Sequence, residues 1–340
     1  MTEVPATPPR SPLLPDPWER SGAIVLDGPL EHAAHRGWRA SFWRVFQALL
    51  VLAFAFVFFQ VVSYGVALLL VLLSGVPQAA LLHEMTANIG AHIRSVMIGN
   101  TVGQALGLAL PAVLLARLHS SRRAAFLRWR RSDGLLLLLS VLGLVALGPV
   151  VMWLGSVNST LPLPEWVKVM EEMQLQFLEQ VLGAQVGIGF HLVVLALTPA
   201  FCEELLFRGY VLRQAERGLG AAGGIVLSGV LFGLYHFRFS QALPLIALGL
   251  YLGYLVWRTG SLWPAIVVHF ANNAFAVVVE AYVSTQAEPD GAQLEQTDIA
   301  WYLVVAGAIC FALILAAMHQ AAKSLLGERS GGAPARSSGD

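Results

Sequence analysis

The sequence predicts an all-α, polytopic membrane helix bundle of about eight transmembrane helices, with N and C termini cytoplasmic. Three observations carry the prediction. Hydrophobic residues make up 56% of the 340 residues and charged residues 12%, about half the ~25% usual in soluble domains. Apolar runs recur from Phe42 to Met318, each long enough to cross a hydrocarbon core of ~30 Å with ~20 residues. Arginines cluster at 36, 39 and 44, at 117–131, at 213 and 217, and at 258, while the intervals between them carry Glu165, Glu171, Glu172 and Glu179, then Glu280, Glu288, Asp290, Glu295 and Asp298. Excess Lys/Arg marks cytoplasmic loops, so an even number of spans puts all these clusters, and both tails, on the cytoplasmic side. Arg94, Lys168 and Arg238 are isolated exceptions.

In chain order, residues 1–40 hold Pro5, Pro8, Pro9, Pro12, Pro15 and Pro17 and have no apolar h-region, which reads as a disordered tail and not a signal peptide. The expected spans are 43–74, 96–117, 134–156, 185–212, 222–238, 242–258, 262–283 and 299–319. The first exceeds one crossing, so it tilts or extends beyond the bilayer. Between the third and fourth, Pro164–Leu182 places Trp166, Met170, Met173 and Phe177 at helical spacing with acids opposite, an external amphipathic helix at the interface or capping the bundle. Gln286–Thr297 reads as a polar external loop and Gly331–Asp340 as a low-complexity tail. Gly103/Gly107, Gly229/Gly233 and Gly249/Gly253 have the small-xxx-small spacing that lets helices approach closely in lipid. Cys202 and Cys310 both fall in apolar runs and read as small buried hydrophobes, not a disulfide.

Chemistry concentrates on three spans. The fourth carries Glu203, Glu204 and Arg208. Carboxylates in lipid cost several kcal/mol each, and an intramembrane ionisable cluster marks function by default. Glu204 and Arg208 are i,i+4 and share a face; Glu203 is rotated ~100° away. Pairing Glu204 with Arg208 leaves Glu203 uncompensated, and desolvation then raises its pKa toward that of a general base. A structural ion pair would use the same residues. Pro199 cannot donate to the carbonyl of Leu195, so a kink or polar opening is expected just before the glutamates. The fifth span carries Phe232-Gly233-Leu234-Tyr235-His236; the seventh carries His269-Phe270-Ala271-Asn272-Asn273, with His269 and Asn273 on one face. Alone, either histidine reads more readily as a satisfied core residue.

Taken in order, E-E-x-x-x-R, F-x-x-x-H and H-x-x-x-N on separate apolar helices resemble the CPBP family, also called the Abi or CAAX-protease family. These are intramembrane endopeptidases that include the eukaryotic Ras-converting CAAX protease. The resemblance covers roughly residues 185–285. It divides the chain into the tail 1–40, N-terminal helices with the amphipathic helix at 41–180, a catalytic core at 181–285, and a last helix and tail at 286–340. It implies that Glu203 is the base activating a water, that His236 helps hold that water, that His269 and Asn273 bind the oxyanion, and that Glu204 and Arg208 shape the site. Glu203 and His269 are expected near the cytoplasmic end of their spans. His236, about fourteen residues into a short fifth span, sits at odds with that depth.

A metal-free site is expected, with zinc as the alternative. Glu203, His236 and His269 would be its ligands, leaving a position for water; the H-E-x-x-H signature is missing, because His83-Glu84 is followed by Met85-Thr86-Ala87. The expected partners are a membrane-bound protein or peptide substrate and the bilayer, with no nucleic acid. The bias to arginine over lysine, with abundant Ala, Leu and Gly, points to a GC-rich bacterial genome and so to a bacterial inner membrane. The competing classes are a transporter, for which proton-coupled flux is the discriminating observation, and a non-catalytic immunity or regulatory protein on the same fold, which need not keep the three motifs intact.

Overall fold

The structure is a computed structural model and describes residues 38–120, 122–286 and 299–331. The N-terminal tail, the loop expected at 286–297 beyond Gln286, and the C-terminal tail beyond Gly331 lie outside the described residues. Among the described residues every regular element is a helix. The long ones are α1 Trp38–Leu73, α2 Ile89–His119, α3 Gly134–Ser159, the amphipathic α4 Glu165–Leu182, α5 Ile188–Tyr235, α6 Ala242–Thr259, α7 Trp263–Gln286 and α8 Trp301–Gly331. All but α4 are long and apolar enough to cross a membrane, which makes seven such helices. The chain is a multi-pass membrane protein.

The expected eight spans and the seven observed helices are reconciled in α5. Its 48 residues would make a rod of roughly 70 Å if straight, more than twice a bilayer core. At Gly220 the backbone turns to φ 77°, ψ 176°, a conformation open essentially to glycine alone. The chain then doubles back. A Cβ on Gly224 would lie 2.8 Å from the Glu216 nitrogen, and the Ser228 hydroxyl donates to the Phe207 carbonyl at 3.2 Å. The arms 188–219 and 221–235 are therefore an antiparallel hairpin, which takes in both the fourth and the fifth of the expected spans. The expected break near 212–222 is in fact helix down to the turn.

Its polar residues are satisfied without a loop. Arg213 Nε donates to the Phe126 carbonyl, and the Arg128 guanidinium grips both oxygens of Glu216 at 2.8–3.1 Å. Burial pulls the Arg128 pKa down to about 10, with Glu216 opposing the shift. The same short segment fastens α7: the Leu262 amide donates to the Arg128 carbonyl and Arg130 donates to the carbonyls of Thr259 and Gly260.

The glycine pairs mark the tightest seams. A Cβ on Gly229 would fall 2.8 Å from the Leu250 nitrogen, and one on Gly249 would fall 2.7 Å from the Gly229 carbonyl oxygen. The second arm of α5 and α6 thus touch backbone to backbone. Gly107 packs on the backbone of Phe59 in the same way, joining α1 to α2. In lipid, where apolar surface gains nothing by leaving the solvent, such close dispersion contact is what holds helices together.

The helix α4 both packs and faces outward. Val167 and Val181 are buried, while Trp166, Val169, Met173 and Phe177 form an exposed apolar stripe. Glu171 reaches back to accept from the Ser240 amide at 3.0 Å. Asn158 at the end of α3 bonds the Phe239 carbonyl and the Leu243 amide, each at 2.8 Å. These contacts pin the short connection that follows the second arm of α5, where Phe237 adopts a left-handed φ of 52°.

Candidate active site

The backbone around the glutamates is wound wide. Residues Leu192–Leu197 and Leu205–Val211 are π-helical, a form found mostly as single bulges at functional sites. The first bulge ends just before Pro199, where the Thr198 hydroxyl donates to the Val193 carbonyl at 2.8 Å. The expected opening before the glutamates is thus a π-turn. Glu203 and Glu204 follow directly, at the end of the α-helical turn Thr198–Glu204.

The hairpin resolves the depth of His236. Glu203 lies seventeen residues before Gly220 and His236 sixteen after it, so both stand about 25 Å from the turn along their arms. They meet across the hairpin. His269 reaches the same place from the second turn of α7.

The two glutamates divide as their ~100° separation predicts. Glu204 is fully buried, and its Oε1 accepts from Arg208 Nη1 at 2.7 Å and lies 2.9 Å from His269 Nδ1. Arg208, also fully buried, donates through Nη2 to the Gly249 carbonyl at 3.1 Å and rests over the Phe232 ring at 4.3 Å. Glu203 points the other way. Its Oε2 is buried without a hydrogen-bond partner, 3.9 Å from His236 Nε2 and 4.0 Å from His269 Nε2.

The outer partners of the imidazoles fix their hydrogens. His236 Nδ1 lies 2.8 Å from the Phe232 carbonyl, which only accepts, so that nitrogen carries its hydrogen. His269 Nδ1 faces the carboxylate that also holds Arg208, so it donates too. In their neutral forms both Nε2 atoms therefore present lone pairs toward Glu203. Three acceptors surround a gap too wide for direct hydrogen bonds, the kind of gap that a water fills.

Asn273 stands one turn beyond His269 on α7 and is half-buried. Its carbonyl oxygen accepts from Asn272 Nδ2 at 3.2 Å, which leaves its Nδ2 hydrogens to donate elsewhere. The structure thus brings Glu203, Glu204, Arg208, His236 and His269 together, with Asn273 at the edge. Sequence reasoning missed two contributors. The Gly249 carbonyl reaches Arg208 only because α6 has no side chain at this contact, a consequence of the Gly249/Gly253 spacing that was legible as packing alone. Phe232, known only as a motif letter, supplies the His236 acceptor and the ring beneath Arg208.

The donor set can be tested against zinc. One carboxylate and two imidazole nitrogens are suitable ligands, but a tetrahedral ion at about 2.0–2.2 Å from each would hold them roughly 3.4 Å apart. The observed 3.9 and 4.0 Å are wider, and a water at ~2.8 Å from each atom spans them without movement.

Residues 185–275 match the model of the family described as type II CAAX prenyl endopeptidase, Rce1-like. The chain is also 26% identical over 116 residues to YdiL of Bacillus subtilis (strain 168), which is named for a proposed membrane-peptidase activity. That match covers 34% of this chain and 45% of the relative, so the chain spans about half the length of the curated protein it matches. No solved structure matches it. The family match contains every residue of the site described above. The first finding likens residues 185–275 to the CAAX prenyl endopeptidases, and the second likens about a third of the chain to a protein named for membrane-peptidase activity.

Proposed function

We propose that the chain is an intramembrane endopeptidase that hydrolyses a peptide bond of a membrane-associated protein or peptide. The observation that carries this reading is the buried, unpartnered Glu203 Oε2, facing two imidazole nitrogens across gaps of 3.9 and 4.0 Å. Peptide hydrolysis requires a nucleophilic water and donors for the developing oxyanion.

In the proposed reaction, Glu203 takes a proton from the water that it and His236 hold. The resulting hydroxide oxygen bonds to the scissile carbonyl carbon. The oxyanion takes hydrogen bonds from Asn273 Nδ2 and from His269 Nε2 in its protonated form, whose charge Glu204 stabilises from 2.9 Å. Collapse breaks the C–N bond, and Glu203 returns its proton to the leaving nitrogen. Arg208 balances Glu204, so the buried pair adds little net charge. If zinc is held instead, Glu203, His236 and His269 are its ligands, and it supplies a water of lowered pKa.

The test uses purified full-length protein and internally quenched transmembrane peptides. Glu203→Gln should abolish cleavage while leaving the melting temperature unchanged; wild-type turnover in that variant refutes Glu203 as the base, and no cleavage by the wild type sinks the endopeptidase reading. Chelation should leave activity intact, whereas stoichiometric zinc, with activity lost on its removal and restored on its return, would assign the water to the metal.

A further inference from the structure

Resting on the endopeptidase reading, we propose that Tyr235 is a further catalytic residue, whose hydroxyl donates to the reacting water beside Glu203. Glu203 and Phe207 are i,i+4 and lie one above the other on the first arm of α5. The Tyr235 ring packs edge-on against Phe207 at 5.2 Å and against Phe56 of α1 at 5.3 Å. This places the tyrosine over the face that carries Glu203, and the two side chains are close enough to interact electrostatically. Tyr235 also directly precedes His236. Its hydroxyl oxygen is buried and has no hydrogen-bond partner.

Packing alone does not account for that hydroxyl. The neighbouring rings are Phe56 and Phe207, and a phenylalanine in place of the tyrosine would make the same edge-on contacts. Burying a hydroxyl with no partner is unfavourable, so an aromatic filler gains nothing from it. The need appears in the donor count of the gap. Glu203 only accepts, and both neutral imidazoles present lone pairs. Before His269 takes up the proton that it later offers the oxyanion, a water among them gives its two hydrogens and still offers lone pairs with nothing to receive. A tyrosine O–H is a donor of the right kind, and it would hold the oxygen so that the remaining lone pair faces the carbonyl carbon. Tyr235 keeps its proton throughout: the water's proton goes to Glu203 and then to the leaving nitrogen.

The experiment compares wild type, Tyr235→Phe and Glu203→Gln in one detergent with the same quenched transmembrane peptides. Tyr235→Phe keeps the ring contacts, so its melting temperature should stay within a few degrees of wild type. Its kcat should fall about 10²-fold, the usual loss for one preorganised donor, with KM changed less than about threefold. An inactive Glu203→Gln beside a Tyr235→Phe of wild-type kcat overturns the role of Tyr235 and leaves the endopeptidase reading standing. An active Glu203→Gln overturns Glu203 as the base, and a wild type that cleaves nothing overturns the endopeptidase reading; in either case an experimental density map decides the tyrosine. A water within hydrogen-bond distance of the Tyr235 hydroxyl, lost in the phenylalanine variant, supports the contact, and a dry hydroxyl ends it.

Discussion

Neutralising each glutamate in turn should separate structure from chemistry. Glu204→Gln removes the charge from a carboxylate that is fully buried and 2.7 Å from an equally buried guanidinium. At that distance the attraction is of the order of 6 kcal/mol with an effective dielectric constant of 20. Breaking a buried pair by removing one partner typically costs about 3–5 kcal/mol, because the other charge is left stranded. The residual contact to Gly249 and the Phe232 ring does not replace it. At about 2.1 cal/mol/K of unfolding entropy per residue, a chain of this size should lose roughly 1.4 °C of melting temperature per kcal/mol, so about 4–7 °C. Glu203→Gln removes a carboxylate with no hydrogen-bond partner at Oε2, and its melting temperature should be unchanged or slightly higher. Both variants should lose cleavage, the first partly through His269, the second entirely. The assay is thermal unfolding in detergent alongside peptide cleavage. The division of labour between the glutamates is refuted if Glu203→Gln is the unstable protein and Glu204→Gln melts like wild type.

Four further outcomes follow from the geometry. Gly249→Leu drives a side chain into the Gly229 backbone, whose carbonyl oxygen lies 2.7 Å from the new Cβ, and should prevent folding, read as loss of monodisperse protein. Gly220→Ala places a Cβ at φ 77°, ψ 176° and should cost about 1–3 kcal/mol, visible as a lower melting temperature with the site chemistry intact. Arg128→Ala leaves Glu216 with Arg213 at 3.5 Å as its remaining cation. It should destabilise the protein by about 3–5 kcal/mol, and Glu216→Gln introduced beside it should recover part of that loss. Glu84, outside the spans, is held below its usual carboxylate range by hydrogen bonds from His92 and Asn88. Its contribution is present above the unfolded value of 4.5 and fades as pH falls through the lower folded value; amide exchange across residues 81–92 should quicken there.

Much of this site was legible because lipid makes polarity expensive. In a chain with 12% charged residues, Glu203, Glu204 and Arg208 within one apolar run announced themselves, and the i,i+4 rule assigned Glu204 to Arg208 from spacing alone. What the sequence hid was the reach of α5. Arg213, Gln214, Glu216 and Arg217 look like a loop, since polar residues end most spans. They stay helical because Arg213, Glu216 and Arg217 find partners in the segment 122–130 that folds under them and Gln214 finds one in His119, and no local pattern announces a partner some ninety residues away. The misplacement of His236 followed from that boundary. A hairpin counted from Gly220 brings it level with Glu203; a span beginning at 222 on its own does not. The link between Glu204 and His269 was hidden for a related reason, since it joins residues 65 apart whose motifs read as separate.

That link changes what the Glu204–Arg208 pair is for. A pair serving only to join helices would satisfy itself, yet Glu204 spends one oxygen on both Arg208 and His269. Arg208 cancels its charge at long range while leaving the oxygen beside Nδ1 negative at short range. The imidazole thus has a fixed tautomer, with Nε2 turned toward Glu203. His236 lacks this, since its outer partner is the neutral Phe232 carbonyl. The two histidines, alike in their distance from Glu203, therefore differ in what backs them. On the proposed chemistry the one backed by a carboxylate belongs beside the oxyanion and the one backed by a neutral carbonyl beside the water.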